Sequence, residues 1–296
     1  MAGRVLVVGG GNQIAAFLIP QLLAAGHQVG VQSRRPAPPW IVPHPELSWS
    51  TAGGTPAADR SVEYEALVYL APLTQFEERW RGLAGITRVV AFSSTSRMAK
   101  QASADAAERA VAELLADGEA VLQRCTAEEG ASLAVLRPTL IYGAGIDQNL
   151  TRLAGFVKRW RLMPLLGEGT GRRQPVHAAD LAAAAQALLE RPEPLSGSFN
   201  LPGGSTLSYR SMVKRVFESL ELQPRFLPLP LLAARAALPV LRRSARWRDL
   251  NPAMLDRMNQ NLVYDASPAQ RAFHYQPRPF RPQPATWLPL NERKGH

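Results

Sequence analysis

The sequence predicts a doubly wound α/β protein, in which a parallel β-sheet carries helices on both faces, with a small C-terminal lobe. In the first half of the chain, short apolar runs alternate with segments of helical spacing, which is typical of the crossover units of a parallel sheet. After Pro138, helical segments are separated by loops rich in glycine and proline, which indicates a separate lobe. We therefore expect a sheet domain at 1–145, whose sheet also takes in part of 170–205, and a lobe at 146–296.

The individual elements follow from hydrophobic periodicity. Runs of apolar residues bounded by turn-forming residues predict strands, and apolar residues three or four positions apart predict helices. The predicted strands lie at 5–8, 28–33, 67–70, 89–93 and 133–136. The predicted helices lie at 14–25, 102–129, 149–160, 180–189 and 209–220.

Length and composition favour a soluble globular protein. The chain has 296 residues, of which 46% are apolar and 20% are charged, and these proportions exclude global disorder. Its single cysteine, Cys125, excludes an intrachain disulfide and a cysteine-rich metal site, so we expect no bound metal. No uncharged apolar run reaches the roughly 18 residues of a membrane-spanning helix. The cysteine usage fits a reducing compartment, and we expect a cytoplasmic location.

The net charge of +10 comes almost entirely from arginine, since only four of the 34 basic residues are lysines. Arginine grips phosphate and carboxylate groups through paired hydrogen bonds, which favours a small anionic partner. An arginine-rich stretch at 235–248 can cover such a ligand, lie on a membrane surface or pack as a helix on the lobe, and its role stays open. Because no nucleic-acid-reading module is present, we expect no nucleic-acid partner.

Three successive glycines stand between the first predicted strand and the first helix. In this layout glycine lets the backbone approach a pyrophosphate, and the helix N-terminus offers unpaired N–H groups. An asparagine follows, the non-glycine residue that best tolerates a positive φ. The alternative is a tight turn without a ligand. The favoured interpretation is a dinucleotide site formed by Gly9, Gly10, Gly11, Asn12, Gln13 and Ile14.

The second predicted strand ends in Ser33, Arg34 and Arg35, with no acidic residue. Dinucleotide folds selective for NAD place Asp or Glu at this point to hold the ribose hydroxyls, whereas arginine accommodates the additional phosphate of NADP. Two guanidinium groups and a hydroxyl suit a 2′-phosphate, so the sequence favours NADP(H) over NAD(H). A solvated basic loop is the alternative.

Eight short segments of the chain form a recognisable series. They are 5–15, 70–72, 92–96, 136–138, 141–143, 167–173, 176–180 and 262–265. Taken in their order and spacing, they resemble the extended or atypical short-chain dehydrogenase/reductases, the group that contains the NAD-dependent epimerases and dehydratases of nucleotide sugars. The resemblance implies a Rossmann-type dinucleotide-binding domain at 1–145 and a mainly substrate-binding lobe at 146–296. It also implies that further residues line the cofactor. The added cofactor residues are Leu70, Ala71, Pro72, Ser93 and Pro138.

The resemblance further implies a catalytic Ser or Thr after the fifth strand and a Tyr-x-x-x-Lys pair one helix later. In that chemistry the tyrosine exchanges a proton with the substrate, the lysine lowers the pKa of the tyrosine, and the hydroxyl orients the substrate oxygen. Ser94 and Thr95 match the first requirement. The pair is absent, since none of the six tyrosines is followed by lysine four residues later. If Glu119 matches the glutamate that often follows the pair, Val111 and Leu115 occupy the Tyr and Lys positions.

Two explanations of the missing pair stay open. In the first, the protein is an enzyme whose proton-transferring group comes from elsewhere, with Tyr142 and His177 as candidates by position. Arg97 and Lys100, just after the serine cluster, are further candidates. Tyr142 and His177 also have structural interpretations, as a packed aromatic residue and as a helix cap. In the second explanation, the protein binds NADP(H) without chemistry, as a sensor or an assembly factor.

On the substrate side, the resemblance places an arginine in contact with the diphosphate of a nucleotide sugar, and Arg173 matches it. Asn149 lies where the family often places a residue on the polar face of the substrate. The alternative for Arg173 is a solvated loop. The sequence thus predicts an NAD(P)-dependent oxidoreductase or epimerase-like protein for a nucleotide sugar or a similar anionic small molecule, and a homodimer stays open.

Overall fold

The computed structural model describes residues 3–51, 63–229 and 258–293. The arginine-rich stretch 235–248 lies outside the described residues. The strands are β1 Arg4–Val8, β2 Gln28–Ser33, β3 Leu47–Thr51, β4 Ala66–Tyr69, β5 Arg88–Phe92, β6 Ser132–Pro138, β7 Ile141–Tyr142, β8 Met163–Leu166, β9 Arg172–Arg173, β10 Val176–His177, β11 Gly197–Leu201, β12 Leu207–Ser208 and β13 Phe226–Leu229. The helices are α1 Ala15–Ala24, α2 Phe76–Trp80, α3 Ser96–Ala99, α4 Ala106–Glu128, α5 Leu150–Trp160, α6 Ala178–Leu189, α7 Tyr209–Ser219 and α8 Ser267–Phe273.

Seven parallel strands form the central sheet, in the order β11-β6-β5-β4-β1-β2-β3. The chain builds the sheet outward from β1, first to one side through β2 and β3 and then to the other side through β4, β5 and β6. The order reverses between β1 and β4, and open α/β sheets bind ligands at the carboxyl ends of the strands at such a reversal. The predicted doubly wound α/β fold is therefore confirmed.

Both faces of the sheet are covered, and β1 shows this most directly. Val5 and Val7 pack in a core with α1, α6 and α8, whereas Leu6 and Val8 pack on the opposite face with α2 and α4. Successive side chains of a strand point to opposite faces, so a strand that is buried on both sides is apolar at every position. The continuous apolar run of β1 follows from this double burial.

The predicted and observed elements differ at their ends, and the two edge strands of the central sheet were not among the predicted strands. The long helix α4 begins at Ala106, four residues later than predicted, because the Asp105 side chain accepts hydrogen bonds from the N–H groups of Ala107 and Glu108. Strand β3 was not predicted: it forms the edge of the sheet and has the polar sequence LSWST. Strand β11, at the other edge, lies within the segment 170–205 that was expected to contribute to the sheet, but its position was not predicted, since its sequence GSFNL contains only two buried apolar residues.

The C-terminal part of the chain has its own apolar core, in which α5 and α7 pack together. Its most buried members include Val157, Val213, Phe217 and Phe280. Short two-stranded pairings, such as β7 with β10 and β9 with β12, surround this core. No described helix has the length and apolar composition that crossing a bilayer requires.

His177 joins β10 to α6 and caps the helix. Its Nδ1 atom accepts a hydrogen bond from the N–H of Ala179 at 3.1 Å. The ring also packs against Phe17 and Tyr142, with centroid distances of 5.3 and 5.1 Å. Burial, assisted by the positive charges of Arg278 and Arg293, lowers the pKa of His177 to about 3. The imidazole is therefore neutral when it caps α6.

Acidification is expected to destabilise the protein through His177. The folded state keeps the imidazole neutral down to about pH 3, whereas an unfolded chain takes up a proton near the ordinary pKa of 6.5. The unfolded state thus binds more protons between these values, and stability falls as the pH falls. At pH 5 we expect this residue to cost about 2 kcal/mol of unfolding free energy. Urea denaturation at pH 7 and pH 5 measures the loss.

His177→Asn is the informative variant, because asparagine caps helices but does not titrate. The drop in unfolding free energy between pH 7 and pH 5 should shrink in this variant. His44→Asn, at an exposed histidine, should behave as the parent protein does. Equal pH dependence in the parent and His177→Asn contradicts the prediction.

Candidate functional site

The glycine turn between β1 and α1 leaves no room for side chains at its first two positions. Gly9 has a φ of +100°, and a Cβ atom there would lie 2.9 Å from the carbonyl carbon of Leu70. At Gly10 a Cβ atom would lie 2.3 Å from a methyl carbon of Val31 and 2.6 Å from the ring of Trp49. Both positions therefore require glycine, because neighbouring segments approach too closely for a Cβ atom. Gly9 also requires it for its positive φ.

Asn12 holds the turn by its side chain and not by an unusual backbone. Its Nδ2 atom donates to the Leu70 carbonyl at 3.3 Å, and its Oδ1 atom accepts from the Ile14 N–H at 2.8 Å. Asn12 does not adopt a positive φ, so the conformational argument from the sequence was wrong, although the residue lies in the turn as predicted. The side chain instead ties the start of α1 to the end of β4.

The third glycine and its neighbours carry the groups that a bound phosphate requires. Gly11 is exposed, and the atom nearest to a Cβ placed there would be the Ser33 Oγ, 3.9 Å away. Within the described ranges, the backbone N–H groups of Gly11 and Gln13 donate to no acceptor. The Gln13 Oε1 atom is buried and has no hydrogen-bond partner among the described residues. Open space and unpaired donors at a helix N-terminus fit a dinucleotide pyrophosphate.

The basic loop after β2 lies beside this turn and is fixed by its backbone. The Ser33 Oγ accepts from the Arg35 N–H at 3.2 Å, and the Trp49 indole donates to the Arg35 carbonyl at 3.1 Å. The side chains of Arg34 and Arg35 are both exposed. Two solvent-exposed cationic groups are thus attached to an anchored loop next to the space above Gly11.

The segment after β4 closes the other side of the turn. Leu70 donates its N–H to the Val8 carbonyl at 2.8 Å, and its own carbonyl accepts a hydrogen bond from the Asn12 side chain. Tyr69 fixes the next residues by donating its hydroxyl to the Pro72 carbonyl at 3.1 Å. The structure therefore places Leu70, Ala71 and Pro72 against the glycine turn.

Ser94 and Thr95 follow β5 in a tight turn, which we call the Ser94–Thr95 turn. Thr95 is only 6% exposed, and both its N–H and its hydroxyl donate to the Pro138 carbonyl at 3.1 Å. The Ser94 hydroxyl accepts from the N–H of Ser96 at 3.1 Å. Of the two hydroxyls, that of Ser94 belongs to the more exposed residue.

A buried charge cluster lies directly beside this turn. Glu119 of α4 is 2% exposed, and its carboxylate accepts from the Ser93 hydroxyl at 2.6 Å. Arg137 donates two hydrogen bonds to the same carboxylate, one of them from Nε at 2.9 Å, and an Arg97 nitrogen lies 3.2 Å from it. Sequence reasoning used Glu119 only to align α4 and missed the cluster. Arg97 is therefore an ion-pair partner of Glu119, and Lys100 ends α3 nearby.

The two positions that correspond to the Tyr-x-x-x-Lys pair lie on α4 before Glu119. Val111 is 38% exposed and Leu115 is half-buried, and neither side chain can transfer a proton. Tyr142, a candidate by position, is 2% exposed and packs edge-on against His177 and Phe280. Burial, with the charge of Asp180, raises the pKa of Tyr142. The contacts of Tyr142 are those of a core residue.

Arg173, on β9, is 9% exposed, so a solvated loop does not describe its surroundings. One of its terminal nitrogens donates to the carbonyls of Arg172 and Gln260, at 2.8 and 2.7 Å. Asn149 is exposed and precedes α5, where the neighbouring Asp147 accepts from the N–H groups of Asn149 and Thr151. Asp147 is therefore the capping residue, and the Asn149 side chain is not part of the cap.

Sequence reasoning assigned no role to Tyr264, although it lies in the matching segment 262–265, because none of the tyrosines has the expected lysine. Its hydroxyl donates to the Thr95 carbonyl at 3.3 Å. The structure thus brings the C-terminal segment to the Ser94–Thr95 turn. No cluster of three or more potential metal ligands occurs in the part of the chain that the structure describes.

Neutralising Glu119 is expected to destabilise the protein strongly. Glu119→Gln leaves two guanidinium groups beside a buried amide, and loss of one partner of a buried ion pair costs about 3 kcal/mol or more. Glu77→Gln is the control, since Glu77 pairs with Arg81 and Arg124 on the surface, where such pairs contribute about 1 kcal/mol or less. Urea denaturation compares the two variants, and equal losses would contradict the assignment.

Three comparisons with known proteins agree with this geometry. Residues 83–201 match the model of the NAD dependent epimerase/dehydratase family. A segment of 103 residues, 34% of this chain, is 30% identical to NADH dehydrogenase (ubiquinone) 1 alpha subcomplex subunit 9, mitochondrial, of Arabidopsis thaliana and covers 25% of that protein. The chain spans less than half the length of the curated relatives it matches.

Solved structures resemble the chain over nearly its whole length. The UDP-glucose 4-epimerase of Thermus thermophilus in complex with NAD aligns with a TM-score of 0.70 and 18% identity, over 97% of this chain and 98% of that one. MoeE5 in complex with UDP-glucuronic acid and NAD aligns with a TM-score of 0.69 and 21% identity, over the same shares. At these identities the likeness shows the fold. The family match over residues 83–201 agrees with the resemblance found in the sequence: this part of the chain is similar to the NAD dependent epimerase/dehydratase family.

Proposed function

We propose that this protein is an NAD(P)-dependent enzyme of the epimerase/dehydratase type that acts on a nucleotide sugar or a similar anionic small molecule, and that it prefers NADP(H) to NAD(H). The observation that carries the proposal is the glycine turn. Its first two glycines admit no side chain, and the N–H groups of Gly11 and Gln13 find no acceptor among the described residues. A nicotinamide dinucleotide, when bound, accepts a hydride from a substrate carbon or returns one to it.

The NADP(H) preference rests on the basic loop. Ser33, Arg34 and Arg35 stand where NAD-selective folds carry an acidic residue, and the two guanidinium groups are exposed beside Gly11. Two of the similar structures are complexes with NAD, so the proposed preference is argued from this chain's own residues. It rests on charge: a 2′-phosphate forms charge-assisted hydrogen bonds that a ribose hydroxyl does not.

The nucleotide-sugar proposal rests on Arg173 and on the ligands bound in the similar solved structures. A buried guanidinium is suited to grip two phosphate oxygens at once, and Asn149 adds an exposed amide at the start of α5. Two of the similar structures hold UDP-glucuronic acid or UDP-glucose. Ser94 and Thr95 are the hydroxyls proposed to orient the substrate oxygen at the carboxyl end of β5.

A second candidate function is a non-catalytic NADP(H)-binding sensor or assembly factor. The side chains of Val111 and Leu115 favour it, because they remove the proton-transferring pair from α4. The name of the Arabidopsis relative, a subunit of an NADH dehydrogenase subcomplex, also favours it. Both candidates require dinucleotide binding, and they differ in turnover.

One experiment separates the two candidates. Purified protein is titrated with NADPH and NADH by fluorescence. Turnover of pooled UDP-, GDP- and dTDP-sugars is then followed by absorbance and by chromatographic separation of the products, because an epimerase leaves the absorbance of the dinucleotide unchanged. Binding with turnover supports the enzyme, and binding without turnover supports the regulator. Failure to bind either dinucleotide overturns both candidates.

Loss of the two guanidinium groups should affect NADPH selectively. Arg34→Ala combined with Arg35→Ala removes the charged hydrogen bonds to the 2′-phosphate, which together are worth about 1.5–3 kcal/mol at this exposed loop, so the Kd for NADPH should rise by about 10- to 100-fold. The Kd for NADH should change by less than about threefold, since NADH has no 2′-phosphate. Fluorescence titration measures both constants.

The control removes the same charge from a different surface. Arg81→Ala combined with Arg124→Ala takes two exposed arginines from the opposite face of the sheet, where both pair with Glu77. This control should leave the Kd values for both dinucleotides unchanged. Equal losses of NADPH and NADH affinity in the Arg34/Arg35 variant would count against the preference.

A further inference from the structure

We propose that Tyr264 supplies the proton-carrying hydroxyl that α4 lacks, and that its phenol hydrogen-bonds the reacting oxygen of the substrate beside Thr95. The inference rests on the proposed function and names the residue that completes the same site. It depends on where the segment 258–264, which we call the C-terminal strap, places this side chain.

The C-terminal strap runs beside β9 and is bonded to it at successive residues. Gly171 donates its N–H to the Met258 carbonyl at 3.2 Å, and Leu262 donates its N–H to the Arg172 carbonyl at 2.9 Å. The Tyr264 N–H donates to the buried side chain of Gln174 at 2.7 Å. These bonds fix the backbone of the strap up to Tyr264 itself, so the direction in which its side chain leaves the strap is set.

From this position the Tyr264 phenol reaches the residue that the family resemblance marks for catalysis. Its hydroxyl donates to the Thr95 carbonyl at 3.3 Å. The Thr95 side chain is a separate influence, which opposes the rise that burial causes in the pKa of Tyr264. Tyr264 is half-buried, so part of the side chain is open to a ligand. A substrate oxygen placed at the Ser94–Thr95 turn would meet this phenol.

Arg173 connects the same phenol with the expected diphosphate. The Gln260 carbonyl of the strap accepts a hydrogen bond from the Arg173 guanidinium at 2.7 Å. The positive charge of Arg173 acts to lower the pKa of Tyr264. Burial raises the pKa of Tyr264, while Thr95 and Arg173 oppose the rise. The phenol is therefore protonated at neutral pH, which suits a proton donor during reduction of a carbonyl.

The remaining tyrosines do not offer this contact. Tyr69, Tyr142 and Tyr275 are at most 4% exposed, and the hydroxyls of Tyr69 and Tyr275 donate to backbone carbonyls elsewhere. Tyr64 packs over Gly30 of β2. Tyr209 makes no hydrogen bond to the Ser94–Thr95 turn in the described ranges.

The proton and electron balance of the step is simple. In the reducing direction, the carbonyl carbon of the substrate would accept a hydride, which a reduced nicotinamide dinucleotide would supply when bound. The π electron pair of the C=O bond moves to the oxygen, which takes the proton of the Tyr264 hydroxyl. The products are the alcohol and the oxidised dinucleotide, and the phenolate regains its proton from water. Oxidation of the alcohol follows the same path in reverse.

Tyr264→Phe tests the inference, with Tyr64→Phe as a matched control at another half-buried tyrosine. Turnover is measured with NADPH or NADP⁺ and the sugar nucleotides UDP-glucose, UDP-glucuronic acid, and pooled GDP- and dTDP-sugars. The Kd for NADPH and thermal unfolding are measured on the same preparations. Tyr264→Phe should lower kcat by about 100-fold or more, as loss of a general acid does. Its Kd for NADPH should stay within about twofold of the parent value, since the phenol is assigned to the substrate oxygen.

Two further readouts separate proton transfer from a merely structural role. The alkaline limb of the pH–kcat profile should disappear in Tyr264→Phe, because the titrating donor is gone. Tyr264→His, which keeps a group able to carry a proton, should retain more activity than Tyr264→Phe, and it serves as the second variant if the phenylalanine variant folds poorly.

Each other outcome overturns the inference. Unchanged kcat in Tyr264→Phe does so directly. A loss of thermal stability and NADPH affinity, with an unaltered pH profile, assigns the phenol to packing of the strap. NADPH binding by the parent protein without turnover leaves the regulator and removes this role for Tyr264. Absence of NADPH binding by the parent protein overturns the proposed function itself, and the inference with it.

Discussion

The close approach of two backbones, at Gly9 after β1 and at Leu70 after β4, governs the arrangement of the candidate site. No Cβ atom fits between them, and the Asn12 side chain bridges the same gap. This contact sets where α1 begins relative to the strand ends, and the direction of the N–H groups of the turn depends on it. The basic loop after β2 and the segment 70–72 are then held on either side by bonds of their own.

A second constraint is the buried carboxylate of Glu119. Its two oxygens interact with Ser93 at the end of β5, with Arg137 of β6 and with Arg97 of α3. Two positive charges therefore face one negative charge there. The cluster fixes the Ser94–Thr95 turn relative to α4, one helical turn beyond Leu115. The chain thus has a rigid polar scaffold beside the α4 positions where the resemblance implies a tyrosine and a lysine, and Val111 and Leu115 stand at those positions.

The features that local patterns determine were predicted from the sequence. The features that depend on contacts between distant residues were not. Strand β2 was predicted with the observed bounds, because apolar runs between turn residues are unambiguous. The polar edge strand β3 was not predicted, since an edge strand needs little apolar surface. Asn12 was placed correctly for the wrong reason, because its side-chain bonds depend on Leu70, 58 positions away. Tyr264 meets Thr95 across 169 positions, a contact that no motif or spacing encodes.

The strap's attachment to β9 also bears on the order in which this protein matures. Gln260 and Arg173 lie 87 positions apart, and such long-range closures form late because chain entropy opposes them. A nascent chain can build the glycine turn and most of the parallel sheet before the strap has been synthesised. Under the proposed function, a chain made only as far as the sheet would bind its coenzyme before Tyr264 was in place to act on a substrate.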